Sequence, residues 1–155
     1  MKIVKGRDYL TPDKRAVIVK MAKKWVNSQK HMQNGKPLCE RYIDSLISIA
    51  EYKPGYGYAE GIEDDEGYLH CLLVGEMVEN MWVQQIDANI TCILTNRPNN
   101  PKYLPILVDR FFKWAQRRSA EEIYIYSWSF RPAYKKLFDR LGFEPAGYSY
   151  KRNCK

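Results

Sequence analysis

Apolar residues recur at helical spacing in two segments near the start of the chain. The first pattern comprises Ala16, Val17, Val19, Met21, Ala22, Trp25 and Val26. Thr11, Pro12 and Asp13 precede it and favour a helix start, through capping, a preset φ and the helix dipole respectively. A second helix is predicted from about Cys39 to Tyr52, with Tyr42, Ile43, Leu46, Ile47 and Ala50 buried. The sequence QNGKP at 33–37 predicts a turn between the helices, and KIVK at 2–5 predicts a short strand before them.

Beyond KPGYGY the pattern changes to that of strands. Three strands are predicted at 56–63, 68–78 and 88–95. Asp64, Asp65 and Glu66 form the turn between the first two, and they lack the ligand spacing of a calcium loop. The segment 77–87 either extends one strand or forms a bulged hairpin.

The last third of the chain alternates between helix and strand. After a loop rich in Pro and Asn, a helix is predicted over 104–120, with one face formed by Ile106, Leu107, Arg110, Phe111, Trp114 and Ala115. A strand at 121–127, a helix from Pro132 that ends at Gly142, and a strand at 147–151 follow. The order β-α-α-β-β-β-α-β-α-β predicts an α/β (α+β) fold around a mixed sheet.

Length and composition indicate one domain. A chain of 155 residues can bury a proper core. The four cysteines, Cys39, Cys71, Cys92 and Cys154, form no CxxC pair, so neither a metal site nor a disulfide framework is expected. The charged N-terminus and the lack of a long apolar run favour a cytoplasmic protein without membrane contact.

The net charge of +7 is concentrated at the N-terminus. Residues 1–36 contain ten Lys or Arg against Asp8 and Asp13. Such a patch attracts phosphates, nucleic acid or an acidic protein surface, although most charge runs are only solvated helix faces. Nucleic-acid binding through Lys14, Arg15, Lys20, Lys23 and Lys24 is the weakest of these alternatives.

Two phrases in the last third, WAQRRSAEEIYIY and LFDRLGFEPAGYSYKR, resemble the GNAT superfamily of N-acetyltransferases. In that family a helix ending WA-x-x-R-G-A precedes a strand, and LY-x-K-L-GF-x-x-x-G-Y follows. The resemblance implies a centrally splayed mixed sheet flanked by about four helices. It also implies acetyl transfer from acetyl-CoA to an amine of a small molecule or a protein, with the first two helices on the acceptor side. The basic charge of these helices would favour an acidic acceptor.

By this resemblance, acetyl-CoA lies where two parallel strands separate, near Leu94 and Tyr126. Its pantetheine arm pairs with the backbone of Ile93, Leu94 and Thr95, and its diphosphate lies at the start of the next helix. The family's glycine-containing phosphate motif falls on residues 99–104, with Asn99, Asn100, Lys102, Tyr103 and Leu104 as contacts. Both glycines are absent there, so Lys102 and the asparagines would have to compensate.

Proton transfer is the second departure from the family. The tyrosine that commonly protonates the coenzyme A thiolate corresponds to Phe138, which has no hydroxyl. Tyr134, Ser127 or Tyr126 would have to replace it. Glu76, Glu79 and Glu60 are the candidates for the base, provided that one faces the interior with a raised pKa. His70 and Cys71 are adjacent on a strand and face opposite sides, so they do not form a catalytic pair.

These departures favour an alternative function. The chain would then be a catalytically silent GNAT-fold protein that acts as a binding or structural module. The segment FRPAYKKLFDRLGF resembles divergent GNAT-like proteins encoded by bacteriophages, so a virion or host-interaction protein belongs to this alternative.

Overall fold

The computed structural model describes residues 1–28, 38–81, 83–96, 102–125 and 132–146. Its strands are β1 (Lys2–Lys5), β2 (Gly57–Glu63), β3 (Leu69–Asn80), β4 (Gln85–Thr95) and β5 (Ile123–Ile125). Its α-helices are α1 (Pro12–Ser28), α2 (Glu40–Ile47), α3 (Ile49–Tyr52), α4 (Leu104–Gln116) and α5 (Pro132–Arg140), and a 3₁₀ helix spans Gly6–Tyr9. The predicted turn at 33–37 and strand at 147–151 lie outside the described residues.

The strands form one mixed sheet. Within the described ranges the order is β1-β2-β3-β4-β5, and the first three pairings are antiparallel. β4 and β5 are parallel, with Ala88 opposite Ile123 and Ile90 opposite Ile125. The predicted mixed sheet with flanking helices is therefore confirmed.

The sheet separates two hydrophobic cores, because successive side chains of a strand face opposite sides. One core joins α1 and α2 to the sheet and includes Ile18, Met21, Ile43, Ile47, Leu72, Val74 and Leu94. The other joins α4 to the opposite face and includes Ile62, Cys71, Leu73, Met77, Ala88, Ile90, Leu107 and Phe111. Among the described residues, no helix is both long and apolar enough to cross a membrane.

The segment 77–87 forms a long hairpin, which resolves the two alternatives. β3 continues to Asn80 and β4 begins at Gln85. Gln84, just before β4, has a φ of 54°, in the left-handed region. Met81 and Val83 at the tip are 86% and 60% exposed.

The second predicted helix divides in two at Ser48. The Ser48 hydroxyl and backbone N–H both donate to the carbonyl of Asp44, and the backbone leaves the helical region with φ −100° and ψ 11°. Side-chain competition of this kind is typical of serine. The expectation that Tyr42 is buried was wrong, because its side chain is 55% exposed.

Both helices of the last third end in left-handed residues. α4 ends at Gln116, four residues before the predicted end, because Ser119 adopts a φ of 60° and the Ala120 N–H donates to the Ala115 carbonyl at 3.1 Å. Gly142 has a φ of 78° and follows α5, which confirms its predicted role as the helix terminator.

Gly75 of β3 sets the distance between α4 and the sheet. A Cβ at this position would lie 2.5 Å from Phe111 Cε2 and 2.7 Å from the carbonyl oxygen of Asn89. Only glycine lets the Phe111 ring rest on the strand in this way. The helix that begins at Leu104 is thus held close above β3 and β4.

Candidate functional site

The backbone of β4 presents hydrogen-bonding groups to its β5 side. The Asn96 N–H donates to the His70 carbonyl of β3 at 2.9 Å. Backbone groups alternate in direction along a strand, so Leu94 also faces β3, whereas Ile93 and Thr95 face the opposite side. Of the three residues predicted to pair with a cofactor arm, Ile93 and Thr95 have the required orientation. Leu94 is part of the ladder with β3, and its side chain is 3% exposed.

A β-bulge lies next to this region. Val74 pairs with Cys92 and Gly75 pairs with Ile90, so Thr91 is an additional residue on β4. A bulge interrupts the ladder and bends the strand. Ile90 is also the last position for which the described residues of β5 provide a partner. Within the described residues, the outward backbone groups of β4 beyond the bulge therefore have no partner on β5.

The start of α4 combines exposed amides with a nearby cation. The N–H groups of Leu104 and Ile106 lie in the first turn and have no acceptor within the helix, and Pro105 between them has no N–H. Lys102 is exposed, with its ammonium 5.4 Å from the centre of the Tyr103 ring. The Leu104 side chain, which replaces a family glycine, packs into the α4-side core and is 5% exposed. Asn99 and Asn100 lie outside the described residues.

His70 joins the two ends of the segment that leads from β4 to α4. Its carbonyl binds Asn96, which follows β4, and its ring lies 4.6 Å from that of Tyr103, which precedes α4. The ring is oriented by Asp64, with Nε2 and Oδ2 3.2 Å apart. The sequence argument excluded only a catalytic pair of His70 with Cys71, and it contained no signal for the contact with Tyr103.

The cysteines of the sheet are unsuited to nucleophilic chemistry. Burial raises the pKa of both Cys71 and Cys92 to about 12. A thiol with such a pKa is protonated near neutral pH, and the thiolate is the nucleophilic form.

Glu60 does not meet the requirement for a base with a raised pKa. Burial acts to raise the pKa of its carboxyl, but hydrogen bonds from Arg110, Lys5 and Tyr58 outweigh burial and hold the pKa below its ordinary value. The Arg110 Nε and the Tyr58 hydroxyl each lie 2.7 Å from Oε2. Glu60 is therefore a paired carboxylate that connects β2 to β1 and α4, and it is not the base that the sequence suggested.

The other two candidates for the base, Glu76 and Glu79 of β3, face opposite sides of the sheet. Glu76 forms an ion pair with Lys53 and is 23% exposed. Glu79 lies opposite Ile86 close to the hairpin tip and is exposed. The two are separated by the alternation of the strand and do not form one cluster.

The candidates for the acid fall mainly outside the described part of the chain. Ser127 and Tyr126 follow β5 and belong to the residues not described. Tyr134 lies within α5, but its side chain is not described. Phe138 on the same helix packs edge-to-face against Phe143, with the ring centres 6.0 Å apart.

The basic face of α1 is partly neutralised. It borders an open groove of about 420 Å³ lined in part by Arg15, Lys20, Lys23 and Lys24. Arg15 donates to both oxygens of Asp44, and Lys23 lies 3.1 Å from Glu40. Lys20 and Lys24 have no carboxylate partner within the described ranges.

The chain matches no protein-family model and shows no significant similarity to a curated protein sequence. Among solved structures, a transcriptional regulator from Bacillus halodurans C-125 is 18% identical, with a TM-score of 0.72 and 98% of each chain covered.

Two enzymes are similar over comparable lengths. Ribosomal-protein-alanine N-acetyltransferase from Brucella melitensis biovar Abortus 2308 is 14% identical, with a TM-score of 0.61 and coverage of 98% of this chain and 97% of that chain. Glucosamine-6-phosphate N-acetyltransferase from Arabidopsis thaliana is 10% identical, with a TM-score of 0.63 and coverage of 99% and 98%. These similarities agree with the motifs of the last third, and the chain has the fold of the GNAT N-acetyltransferases.

Proposed function

We propose that this protein transfers an acetyl group from acetyl-CoA to an amine. The observation that carries the proposal is the orientation of Ile93 and Thr95, whose backbone groups face the β5 side just beyond the bulge. An extended amide-containing arm can pair with such a strand edge through main-chain hydrogen bonds. Two enzymes with this fold are named for the acetylation of amines, on ribosomal-protein alanine and on glucosamine-6-phosphate.

The start of α4 fits the diphosphate of the cofactor. The amides of Leu104 and Ile106 and the positive end of the helix dipole favour an anion. Lys102 adds a positive charge on the same approach, and the side chains of Asn99 and Asn100 are further candidate donors. Because the Leu104 side chain packs into the core, it does not itself block the approach of phosphate oxygens to these amides.

The chemistry requires one base and one acid. Acetyl-CoA supplies a thioester, so a C–N bond forms to the amine while the C–S bond breaks and the sulfur takes up a proton. Glu76 is the preferred base, directly or through a water, because it lies half-buried on the face opposite α4, whereas Glu79 is exposed near the hairpin tip. Tyr134 and Ser127 are the proposed donors to the sulfur.

The acceptor side is assigned to α1 and α2. Lys20 and Lys24 give this side a positive charge that favours an acidic acceptor, as the sequence suggested. Nucleic-acid binding gains no support, since Lys14, Arg15 and Lys23 of the same patch are already bound to carboxylates.

Calorimetry with coenzyme A and acetyl-CoA tests the proposal. Thr95→Pro removes an N–H on the β5 side, whereas Thr95→Val keeps that N–H and changes only the side chain. We expect Thr95→Pro to weaken binding about tenfold, equivalent to ~1.4 kcal/mol for one lost hydrogen bond. Thr95→Val should bind like the wild type. The proposal fails if folded wild-type protein releases no heat with either ligand.

One observation favours the alternative of a silent GNAT-fold module with a protein partner, including a bacteriophage virion or host-interaction role. Exposed apolar side chains gather at the β3–β4 hairpin, namely Val78, Met81, Val83 and Ile86. Apolar patches of this kind often mark protein contacts. This alternative is supported if coenzyme A does not bind and a purified partner forms a complex that Met81→Lys disrupts.

A further inference from the structure

Asn89 carries a buried acceptor without a donor. Its side-chain oxygen Oδ1 is inaccessible to solvent and accepts no hydrogen bond from the described residues. A buried polar atom left in this state costs roughly 1–3 kcal/mol. Such atoms are rare in native proteins, and each calls for an explanation, such as a bound water, an ion or a role at a functional site.

The position of Asn89 places this oxygen on the face of the sheet that carries α1 and α2. Its neighbours Ala88 and Ile90 pack into the α4-side core, so the alternation of β4 directs Asn89 to the other side. Asn89 is paired with Glu76 on β3 and with Tyr124 on β5. These three side chains form a polar row across three adjacent strands.

The surroundings of Asn89 are rich in acceptors. Glu76 lies beside it in the row, and Asp87, which is 4% exposed, lies two residues earlier on the same face of β4. Lys53 binds Glu76 and the Gln85 amide donates to Asp87 at 2.7 Å, which leaves the Asn89 oxygen as the acceptor still without a donor in the described structure. A group with several N–H donors and a positive charge matches this environment.

The polar row also lies close to the bulge of β4, where the cofactor arm proposed to pair with Ile93 and Thr95 would end. Ile93 and Thr95 lie beyond the bulge on the side of α4, whereas Asn89 lies two residues before Thr91. An acetyl group carried past the bulge would therefore arrive next to Asn89.

We infer that Asn89 positions the amino group of the acceptor, a primary amine bound as its ammonium ion, by accepting one of its N–H groups at Oδ1. This inference rests on the proposed acetyl transfer for its biological meaning, but it concerns a separate binding event. Asn89 is a positioning residue, since an amide is too weak a base to remove the proton. The Glu76 carboxylate beside it stabilises the same positive charge.

Nuclear magnetic resonance of the labelled full chain tests the site with butylammonium chloride as the probe and 1-butanol as the neutral control. We expect butylammonium, but not butanol, to shift the Asn89 side-chain amide signal. Asn89→Leu removes the acceptor at similar volume and should weaken butylammonium binding about tenfold, whereas Asn89→Asp keeps an acceptor and should bind at least as well as wild type. Equal shifts with both probes, or unchanged binding in Asn89→Leu, would overturn the inference.

Two further measurements distinguish the outcomes. A purely structural role predicts that Asn89→Leu is less stable than wild type, whereas removal of an unpartnered buried oxygen should leave the melting temperature equal or higher. Calorimetry with coenzyme A on the same variants should show binding within about twofold of wild type. If butylammonium binds through Asn89 but coenzyme A does not bind, the proposed function fails and the amine site stands. If coenzyme A binds but butylammonium does not bind through Asn89, the amine site is excluded and the proposed function stands.

Discussion

Arg110 shows how one residue can belong to both the surface and the core. Its side chain is 42% exposed, yet its Nε donates to Glu60, whose side chain is 5% exposed. Lys5 also binds Glu60, so the loss of Arg110 does not leave the carboxylate without a cation.

We expect Arg110→Met to lower the free energy of unfolding by about 2 kcal/mol, the usual value for a hydrogen bond to a buried charge. Lys113→Met on the same helix is the matched control. Lys113 pairs with Asp109 where both are more than half exposed, so its loss should cost less than about 0.5 kcal/mol. Urea denaturation measures both free energies of unfolding. Equal losses in the two variants would contradict a stabilising contact between Arg110 and the buried Glu60.

Gly75 provides a second single-residue test. Gly75→Ala places a methyl group against Phe111 and the Asn89 carbonyl, and we expect a loss of about 3 kcal/mol through overpacking. Gly55→Ala is the control, because that position has a φ of 79° and open space around it, so only backbone strain of about 1 kcal/mol applies. Thermal unfolding measures the stability of both variants. If Gly75→Ala were as stable as Gly55→Ala, the close approach of Phe111 to Gly75 would be refuted.

At the scale of the elements, the C-terminal end of helix α4 can be stabilised by a single substitution. Ser119 occupies the left-handed position after Arg117 and Arg118, where the GNAT motif has glycine. Ser119→Gly should stabilise the protein by about 0.5–1 kcal/mol, since glycine adopts this φ without a Cβ conflict. Ser119→Ala keeps the conflict and should bring no gain. Melting temperatures of the two variants test this prediction. A higher melting temperature for Ser119→Ala would show that the φ of residue 119 is not the cause of the stabilisation.

The helix and strand patterns were predictable where the signals are local. β1 was predicted with its observed bounds, and Gly142 ended α5 as expected, because both depend on a few adjacent residues. The break at Ser48 was missed because the apolar period continues through it. The bulge at Thr91 could not be predicted, since it depends on pairing with β3.

The candidate site was less predictable than the fold. The resemblance indicated β4 as the strand for the cofactor arm, but the opposite backbone orientation of Leu94 relative to Ile93 and Thr95 could be seen only from the ladder with β3. The role of Glu60 depends on Lys5 and Arg110, which are distant in sequence. No local pattern indicates that the oxygen of Asn89 lacks a donor.

The stability of the complete fold should depend on pH through Glu60. Its pKa is lowered in the folded state, so its contribution is complete above the ordinary value of 4.5 and is lost as the pH falls through the folded-state pKa. Melting temperatures between about pH 3 and pH 7 should therefore fall at the acidic end, and more steeply in wild type than in Glu60→Gln. Asp44 and Asp64 also have lowered pKa values and remain in both proteins, so only the difference between the curves reports Glu60. Parallel curves would contradict the prediction.

Because Thr91 is an additional residue, the side chains that face a given core have even numbers before it and odd numbers after it, or the reverse. Before it, the even-numbered Ala88 and Ile90 serve the α4-side core, and after it the odd-numbered Ile93 does, while Cys92 and Leu94 turn to α1. Deleting Thr91 would place Cys92 directly after Ile90 in a uniform strand, and the later side chains would keep both their faces and their partners on β3. The two cores therefore do not depend on Thr91 for their register, and the effect of this residue is local: it interrupts the ladder and bends β4 next to the last described pair with β5.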